Sequence, residues 1–484
     1  MADSFEKVRE LIRRRATETN LPSLAIGVAR DGEILWEEAF GWADRERRIR
    51  ATEHTAYSLA SVSKPITATG LMALVEEGRV DLDKPANDYL GQAQLRARVG
   101  EAGDATVARV ADHMAGLPLH YQFFYEDEGI APPPRDLTIV RYGNLITAPG
   151  ERYQYSNLGY GVLDYIIERV SGRSYAEFMR TRVFLPLGMT RTSVGIGPGL
   201  GPYAAMRYGA DGAPYPFYDF DHPGASAVFS SVHDLLLFGM FHLKIPAADR
   251  KAILSSERLD QMHTLVLERE PGKGYRLGWG ITNDLYGCRS WAHSGGMGGV
   301  NALLRLFPDE KMVVATLANA NSNLPELAMH ETVGALLPQY REARLAEQER
   351  QKSQESPPAP EPADLKSLVG RWEGEIVTPL GSQKLQLTVL ESGDVHAELE
   401  GSLKALVNRV RFKDDWLGGR FVARLRSPDL PNRPLELGLD LKRREGRLTG
   451  GLIAFTALGE GEEGGVPGRR CGNALTHWCE LSAS

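Results

Sequence analysis

The spacing of hydrophobic positions changes period several times along the chain. Phe5, Val8, Leu11 and Ile12 share one face over residues 3–20, behind Asp3 or Ser4 as a cap, which predicts a short amphipathic helix. The period then falls to two. Leu24, Ile26 and Val28 alternate up to Asp31-Gly32, a tight-turn dipeptide, and Ile34 to Phe40 return as a second strand. An opening hairpin points to an antiparallel sheet. Asn301 to Leu317 repeats the pattern around a turn at Pro308-Asp309-Glu310-Lys311, and Leu324 to Tyr340 reads as a helix. Between the hairpins the sequence is mixed, mostly helical and rich in loops.

From Arg344 to Ala363 the chain is polar and then proline-rich, which predicts a solvated helix tail running into a stiff linker. Beyond Asp364 the period is again two. Leu385, Leu387 and Val389 precede a turn at Ser392-Gly393-Asp394, and Leu435, Leu437, Leu439 and Leu441 precede Glu445-Gly446. The expected organisation is an α/β (α+β) domain over residues 1–343, with an antiparallel sheet flanked by helices plus a helical subdomain. A linker at 344–363 and an antiparallel β-barrel at 364–484 follow.

Composition narrows the function. The 484 residues are 42% hydrophobic and 25% charged, an ordinary globular balance, and 56 basic against 63 acidic residues leave a net charge of −7. A mildly acidic chain without basic clusters argues against nucleic-acid partners. No run approaches 18 apolar residues and the N-terminal segment breaks its apolar residues with charges, so neither a membrane partner nor a secretory leader is expected, and the location expected is cytoplasmic. Cys288, Cys471 and Cys479 lack metal-site spacing. Reduced thiols are expected, although Cys471 and Cys479 could pair across a hairpin. No metal and no cofactor is expected.

Three segments carry candidate chemistry. Ser61-Val62-Ser63-Lys64 opens a helical window, Lys64 to Glu77, which places Ser61 and Lys64 on one face at the helix N-terminus, where free N–H groups favour a developing anion. Such a lysine can hold a serine's proton or support another base that does. Alone the spacing means little: a chain of this composition carries about two Ser-x-x-Lys matches, each most simply a helix cap with a solvated lysine. Ser4 to Lys7 is a second one. Tyr155-Ser156-Asn157 is the next segment, placed in a loop before a helix that Gly172 stops. The last is His293-Ser294-Gly295-Gly296, whose glycines let a backbone N–H approach a ligand closely.

Together the three segments resemble the serine β-lactamase and penicillin-binding-protein superfamily, specifically the class C β-lactamase-like serine hydrolases. The motifs occur in the family order, 94 and 138 positions apart, and Tyr57-Ser-Leu-Ala-Ser61, Gly78-Arg-Val-Asp-Leu-Asp83, Gly116-Leu-Pro118, Pro149-Gly-Glu151 and Leu277-Gly-Trp279 also look like the family. The resemblance spans roughly residues 5 to 340. It implies that Ser61 is the nucleophile of an acyl-enzyme, Lys64 its activating partner and Tyr155 the proton shuttle. Asn157 would orient Lys64 and the substrate amide, and the backbone N–H groups of Ser61 and Gly296 would form the oxyanion hole beside Gly295. Which of Lys64 and Tyr155 acts as base is left open, because both titrate near pH ~10 when free.

One position departs from the pattern. His293 stands where β-lactamases and DD-peptidases usually carry lysine, so the cation that clamps a substrate carboxylate is missing or pH-dependent. That looks more like the family's esterases and D-aminopeptidase-like peptidases, and implies a small ester or a short peptide amide, one with a D-residue included, as substrate. Acyl transfer, peptide cyclisation and β-lactam or DD-carboxypeptidase chemistry use the same residues. A silent scaffold or binding protein is a reading of another class, opposed by intact Ser61, Lys64 and Tyr155. The C-terminal barrel resembles lipocalin-like appendages of some members, where it borders the active site or supports homo-oligomers; Gly459 to Gly465 is an acidic loop that could reach the cleft.

Two other readings are weaker. Ala292-His293-Ser294-Gly295-Gly296 matches a variant nucleophile elbow, with Asp309 and His330 following in triad order, but the elbow needs a helix after the serine. His113, His120 and His233 are expected to be structural or on the surface, and Cys288 a packed thiol.

Overall fold

Antiparallel pairing begins with the first hairpin. β1 (Ser23–Arg30) and β2 (Glu33–Asp44) join through Asp31 and Gly32 alone, at φ 51° and 91°, the positive values that a two-residue hairpin turn requires. The computed structural model describes residues 5–197, 199–246, 251–353, 364–456, 465–466 and 470–484. The Asp3 and Ser4 caps, the proline-rich part of the linker and nearly all of the 459–465 loop lie outside these. The opening helix, α1 (Glu6–Glu18), buries Val8 and Ile12.

The hairpin is one end of a nine-stranded sheet, with β3 (Ile49–Arg50) beside β2. The other strands are β4 (Glu268–Glu270), β5 (Lys273–Arg276), β6 (Trp279–Leu285), β7 (Cys288–Met297), β8 (Val300–Phe307) and β9 (Met312–Ala318), in the order β4-β5-β6-β7-β8-β9-β1-β2-β3. All neighbouring strands are antiparallel. β1 is buried on both faces because both are covered. Leu24, Ile26 and Val28 join Leu303, Met312 and Val314 in one core, and Ala25 and Ala29 join Leu304, Val313 and Ala315 in the other.

The second of these cores holds α2 (Ser63–Glu76), α3 (Asn157–Ser171), the short α4 (Pro223–Ser226) and α5 (Val232–His242). α2 is buried at every position from Ser63 to Val75. The first core holds α1 and α6 (Leu324–Leu336). The single helix expected over 324–340 is two helices: Leu337 leaves the helical region at φ −127°, ψ 88°, and α7 (Pro338–Ser353) begins at the proline. The proline ring disfavours helical geometry in the residue before it, whereas proline at a first helical position forfeits no bond.

After the linker, nine strands form a second antiparallel sheet: β10 (Gly370–Thr378), β11 (Gly381–Val389), β12 (Val395–Leu399), β13 (Ala405–Leu406), β14 (Asn408–Lys413), β15 (Trp416–Ala423), β16 (Leu435–Arg444), β17 (Arg447–Phe455) and β18 (Ala474–Ala483). Their order is β13-β12-β11-β10-β18-β17-β16-β15-β14. The end strands β13 and β14 are separated only by Val407, so the sheet curls into a nearly closed barrel around Leu385, Leu387, Leu437, Leu439, Leu441 and their neighbours.

Close approach of α5 to β9 gives a direct test of packing. A Cβ on Gly239 would stand 2.4 Å from Val313 Cγ1, inside contact distance of a β-branched side chain. Although alanine is the better helix former, Gly239→Ala is expected to destabilise the domain built on this sheet by ~1–3 kcal/mol through overpacking, read from urea unfolding. A stabilised variant would contradict this packing.

Candidate active site

Ser61 lies on a 3-10 turn, Ala60–Val62, directly ahead of α2. Ala60 takes φ 45°, a strained conformation for a residue with a Cβ. That kink turns the chain from the strand at Tyr57–Ser58 into the helix and sets Ser61 at its mouth. One turn on, Lys64 is completely buried. Its Nζ lies 3.0 Å from Ser61 Oγ, 2.8 Å from Asn157 Oδ1 and 3.1 Å from the Ala225 carbonyl of α4. No carboxylate is among these partners, so nothing offsets the desolvation, which drives the Lys64 pKa well below the ordinary lysine value.

Tyr155 completes the cluster by donating its O–H to Ser61 Oγ at 2.8 Å. Burial pushes its phenol well above the ordinary tyrosine value. The Lys64 ammonium position lies 4.7 Å from the centre of the Tyr155 ring. The loop carrying Tyr155 has no regular structure, and its position is fixed where α3 begins. Ser156 caps that helix by accepting from Gly159 N, while its N–H donates to His113 Nδ1 at 3.1 Å and its Oγ donates to Pro118 O at 2.7 Å. Asn157 Nδ2 donates to His120 O at 3.0 Å, which aims its Oδ1 at Lys64.

Two glycines bring the third segment against the first. A Cβ on Gly295 would fall 2.1 Å from Leu59 O, and one on Gly278 would fall 2.6 Å from Pro65 Cα. Only glycine permits β6 and β7 to approach the start of α2 this closely. The pairing of β6 with β7 ends at Gly280–Ala292, whereas β8 pairs β7 through Met297. Gly296 therefore lies on a stretch of β7 flanked by β8 alone, beside Ser61.

His293 is buried on β7, with Nδ1 2.7 Å from Ser294 O and Nε2 3.1 Å from Tyr275 OH. A carbonyl only accepts, so Nδ1 carries the hydrogen and Nε2 accepts from Tyr275. Desolvation, and then the neighbouring Lys64, lower its pKa to about 3. The ring is neutral, and both its nitrogens are engaged within the protein.

Ser61, Lys64, Tyr155 and Asn157 thus meet within hydrogen-bonding distance, with Gly295 and His293 on the facing strand. Ser294 does not join them. It is exposed in the middle of β7, no helix follows it, Asp309 pairs with exposed Arg289, and His330 bonds Tyr340, so the elbow alternative has no geometry. Cys288 packs into the first core, and all three cysteines are unpaired. The sequence reading missed Tyr275, the Ala225 carbonyl and the part played by His113, whose ring centre lies 4.4 Å from that of Tyr155 at φ 60°. The Asp112-His113 segment before Gly116-Leu-Pro118 was the available signal for the last.

His120, Asp221 and His222 form a second buried group. Their contacts are hydrogen bonds: His120 Nε2 and His222 Nδ1 meet opposite oxygens of Asp221 at 2.9 and 2.6 Å, and Thr138 donates to the same carboxylate at 3.1 Å. Burial opposes ionisation of Asp221, but the two histidines outweigh it and hold the carboxyl well below its usual range. The group lies between the His120 carbonyl that holds Asn157 and α4, which supplies the Ala225 carbonyl to Lys64.

Burial lowers the pKa of His113, His222, His242, His263, His293 and His477, to about 3 for His242 and about 4 for His477. Each folded value lies below the unfolded one. The stability they contribute is fully present above pH ~6.5 and is lost as pH falls towards 3–4, by up to about 1.4 kcal/mol per pH unit for each histidine. Asp164, which burial pushes up to about 8 against the pull of Arg135, works in the opposite direction as a single group. The urea midpoint is therefore expected to fall steeply between pH 7 and pH 4.5; a flat profile would contradict neutral burial.

Comparison with known proteins agrees with this arrangement. The Beta-lactamase family model matches residues 8–338. Protein flp of Staphylococcus aureus (strain MRSA252) is 24% identical over 359 residues, covering 70% of each chain. Penicillin-binding protein 4* of Bacillus subtilis (strain 168) is 27% identical over 315 residues, covering 60% of this chain and 66% of its own. Among solved structures, an octameric penicillin-binding protein homologue from Pyrococcus abyssi superposes with a TM-score of 0.61 at 23% identity over 97% of this chain and 99% of its own. A class C beta-lactamase superposes with a TM-score of 0.60 at 19% identity over 69% of this chain and 96% of its own. With a family model covering more than half of its length, the chain belongs to the Beta-lactamase family of serine hydrolases.

Proposed function

We propose that the chain is an acyl hydrolase that works through an acyl-enzyme on Ser61 and takes small esters or short peptide amides, those with a D-residue included. The observation that carries this reading is Ser61 Oγ held between Lys64 Nζ at 3.0 Å and Tyr155 OH at 2.8 Å in a buried pocket. A neutral lysine has two N–H donors and one lone pair. Asn157 Oδ1 and the Ala225 carbonyl take the two hydrogens, which leaves the lone pair for the Ser61 proton. These contacts support Lys64 as the base, with Tyr155 protonated.

Ser61 Oγ then attacks the substrate carbonyl. The oxyanion is received by the N–H groups of Ser61 and Gly296, each such donor contributing about 10² to 10³ in rate. On collapse the acyl–leaving-group bond breaks, Tyr155 passes its proton to the departing oxygen or nitrogen, and Lys64 returns one to Tyr155. Water, deprotonated by the same pair, hydrolyses the ester to Ser61 and restores the enzyme.

The substrate class rests on His293. A neutral ring with both nitrogens occupied offers no cation and no free donor to a substrate carboxylate, so neutral acyl groups fit the site better than the carboxylate-bearing ones a lysine would clamp. Three unpaired cysteines accord with a reducing, cytoplasmic setting. Among the described residues no helix is long and apolar enough to cross a membrane. The octameric state of the Pyrococcus abyssi homologue supports assembly into a homo-oligomer.

A fluorophosphonate is expected to label Ser61, located by digestion and mass spectrometry, and Ser61→Ala should lose both label and turnover while folding normally. Label on another serine would overturn the reading. Tyr155→Phe should lower kcat by about 10² to 10⁴, as loss of a positioned proton donor does. His293→Lys is expected to shift kcat/KM towards substrates that carry a free carboxylate, measured on paired acids and methyl esters; an unchanged ratio would remove the account of that position.

A further inference from the structure

The second domain grips the loops that carry Tyr155 and Asn157, and it does so through charge. On β16 the leucines at 435, 437, 439 and 441 face the barrel interior, so Asp440, Lys442 and Arg444 project together from the other face. All three meet the segment just ahead of Tyr155. Lys442 Nζ donates to Glu151 Oε1 at 2.6 Å, Arg444 bonds Glu151 Oε2, and Arg152 bonds Asp440. Arg152 also stacks 3.5 Å over the Trp416 ring of β15. Because side chains alternate between faces along a strand, a one-residue slip of β16 would turn this face inward.

β18 holds the neighbouring loop. Tyr121 and Ala474 exchange two backbone hydrogen bonds of 2.9 Å, Asn473 Oδ1 accepts from Phe123 N at 3.0 Å, and Thr476 Oγ1 donates to Leu119 O at 2.7 Å. That loop supplies the Pro118 and His120 carbonyls that fix Ser156 and Asn157. Within the catalytic domain the loop from 149 to 155 has only a few backbone anchors, Gly150 N to Met114 O and Gln154 N to His113 O among them. Glu151 adds one more by accepting from Ala148 N at 3.1 Å, and it does so while held by the two barrel cations.

Resting on the acyl-enzyme reading above, we propose that Lys442 and Arg444 of the barrel are positioning residues for Tyr155: by clamping Glu151 they set the loop that aims the Tyr155 hydroxyl at Ser61. The clamp acts on proton transfer and not on affinity, because neither cation lies among the residues around Ser61. Loss of the clamp should cost most where the leaving group most needs Tyr155's proton.

The test is a double-mutant cycle in the full-length protein. Lys442→Met with Arg444→Met should lower kcat by up to about 10²-fold, the scale of an ångström misplacement, with little change in KM. The loss should be larger for an ethyl ester than for a p-nitrophenyl ester, whose leaving group needs no proton. In a Tyr155→Phe background the same pair should cost almost nothing further. Losses that are equal for both esters, or that add fully to Tyr155→Phe, would overturn the proposal, as would unchanged kcat. Should the double variant fold poorly, Lys442→Met alone is carried through the same cycle. The two readings fail differently: if Ser61 is not the nucleophile, the unaltered protein takes no label there, whereas if only the clamp is wrong, Ser61 is labelled in the unaltered protein and the Lys442→Met, Arg444→Met variant turns over the ethyl ester with unchanged kcat.

Discussion

A lysine amine buried without a counter-ion is the constraint on which the rest of this structure depends. Placing an ammonium in such a setting is costly, so burial lowers the lysine pKa, and Asn157 Oδ1 and the Ala225 carbonyl fix where two of its hydrogens go. Asn157 and Ala225 come from different elements, α3 and α4, and each is held by a further layer: His120 carbonyl behind Asn157, and the His120–Asp221–His222 bonds alongside α4. The interior polar groups of the helical subdomain thus make up a scaffold for one lone pair.

The same logic extends to the facing strand. A permanent charge at position 293 would stand near Lys64 in a medium of low polarity and would further disfavour proton uptake there. His293, held as one tautomer by Ser294 O and Tyr275, fills that position with a dipole of fixed direction. The site is flanked by aromatic rings, His113, Tyr153, Tyr160 and Tyr275 among them.

Much of this was legible in the sequence, for local reasons. Alternation at Leu24, Ile26 and Val28 with Asp31-Gly32 is enough to define the first hairpin, and the family resemblance carried by the three segments singled out Ser61, Lys64, Tyr155 and Asn157, which the fold brings within hydrogen-bonding distance. The break at Leu337 was also readable, since Pro338 disfavours the helix that the apolar spacing suggested. Partners distant in sequence were not. Nothing about Tyr275 marks it as the donor to His293, a main-chain carbonyl such as Ala225 O leaves no residue signature, and alternation shows that Asp440, Lys442 and Arg444 face outward without saying what they meet.

Order along the chain gives the barrel contacts one more meaning. β18 follows every other described strand in sequence, yet it lies between β10 and β17 in the interior of the barrel sheet and also carries Ala474 and Thr476 to the loops beside Ser156 and Asn157. During synthesis α2 and all three segments emerge well before the strand that holds the loop behind Ser156 and Asn157. A nascent chain therefore carries Ser61 before the strand that packs against the loop beside Ser156 and Asn157 has been made.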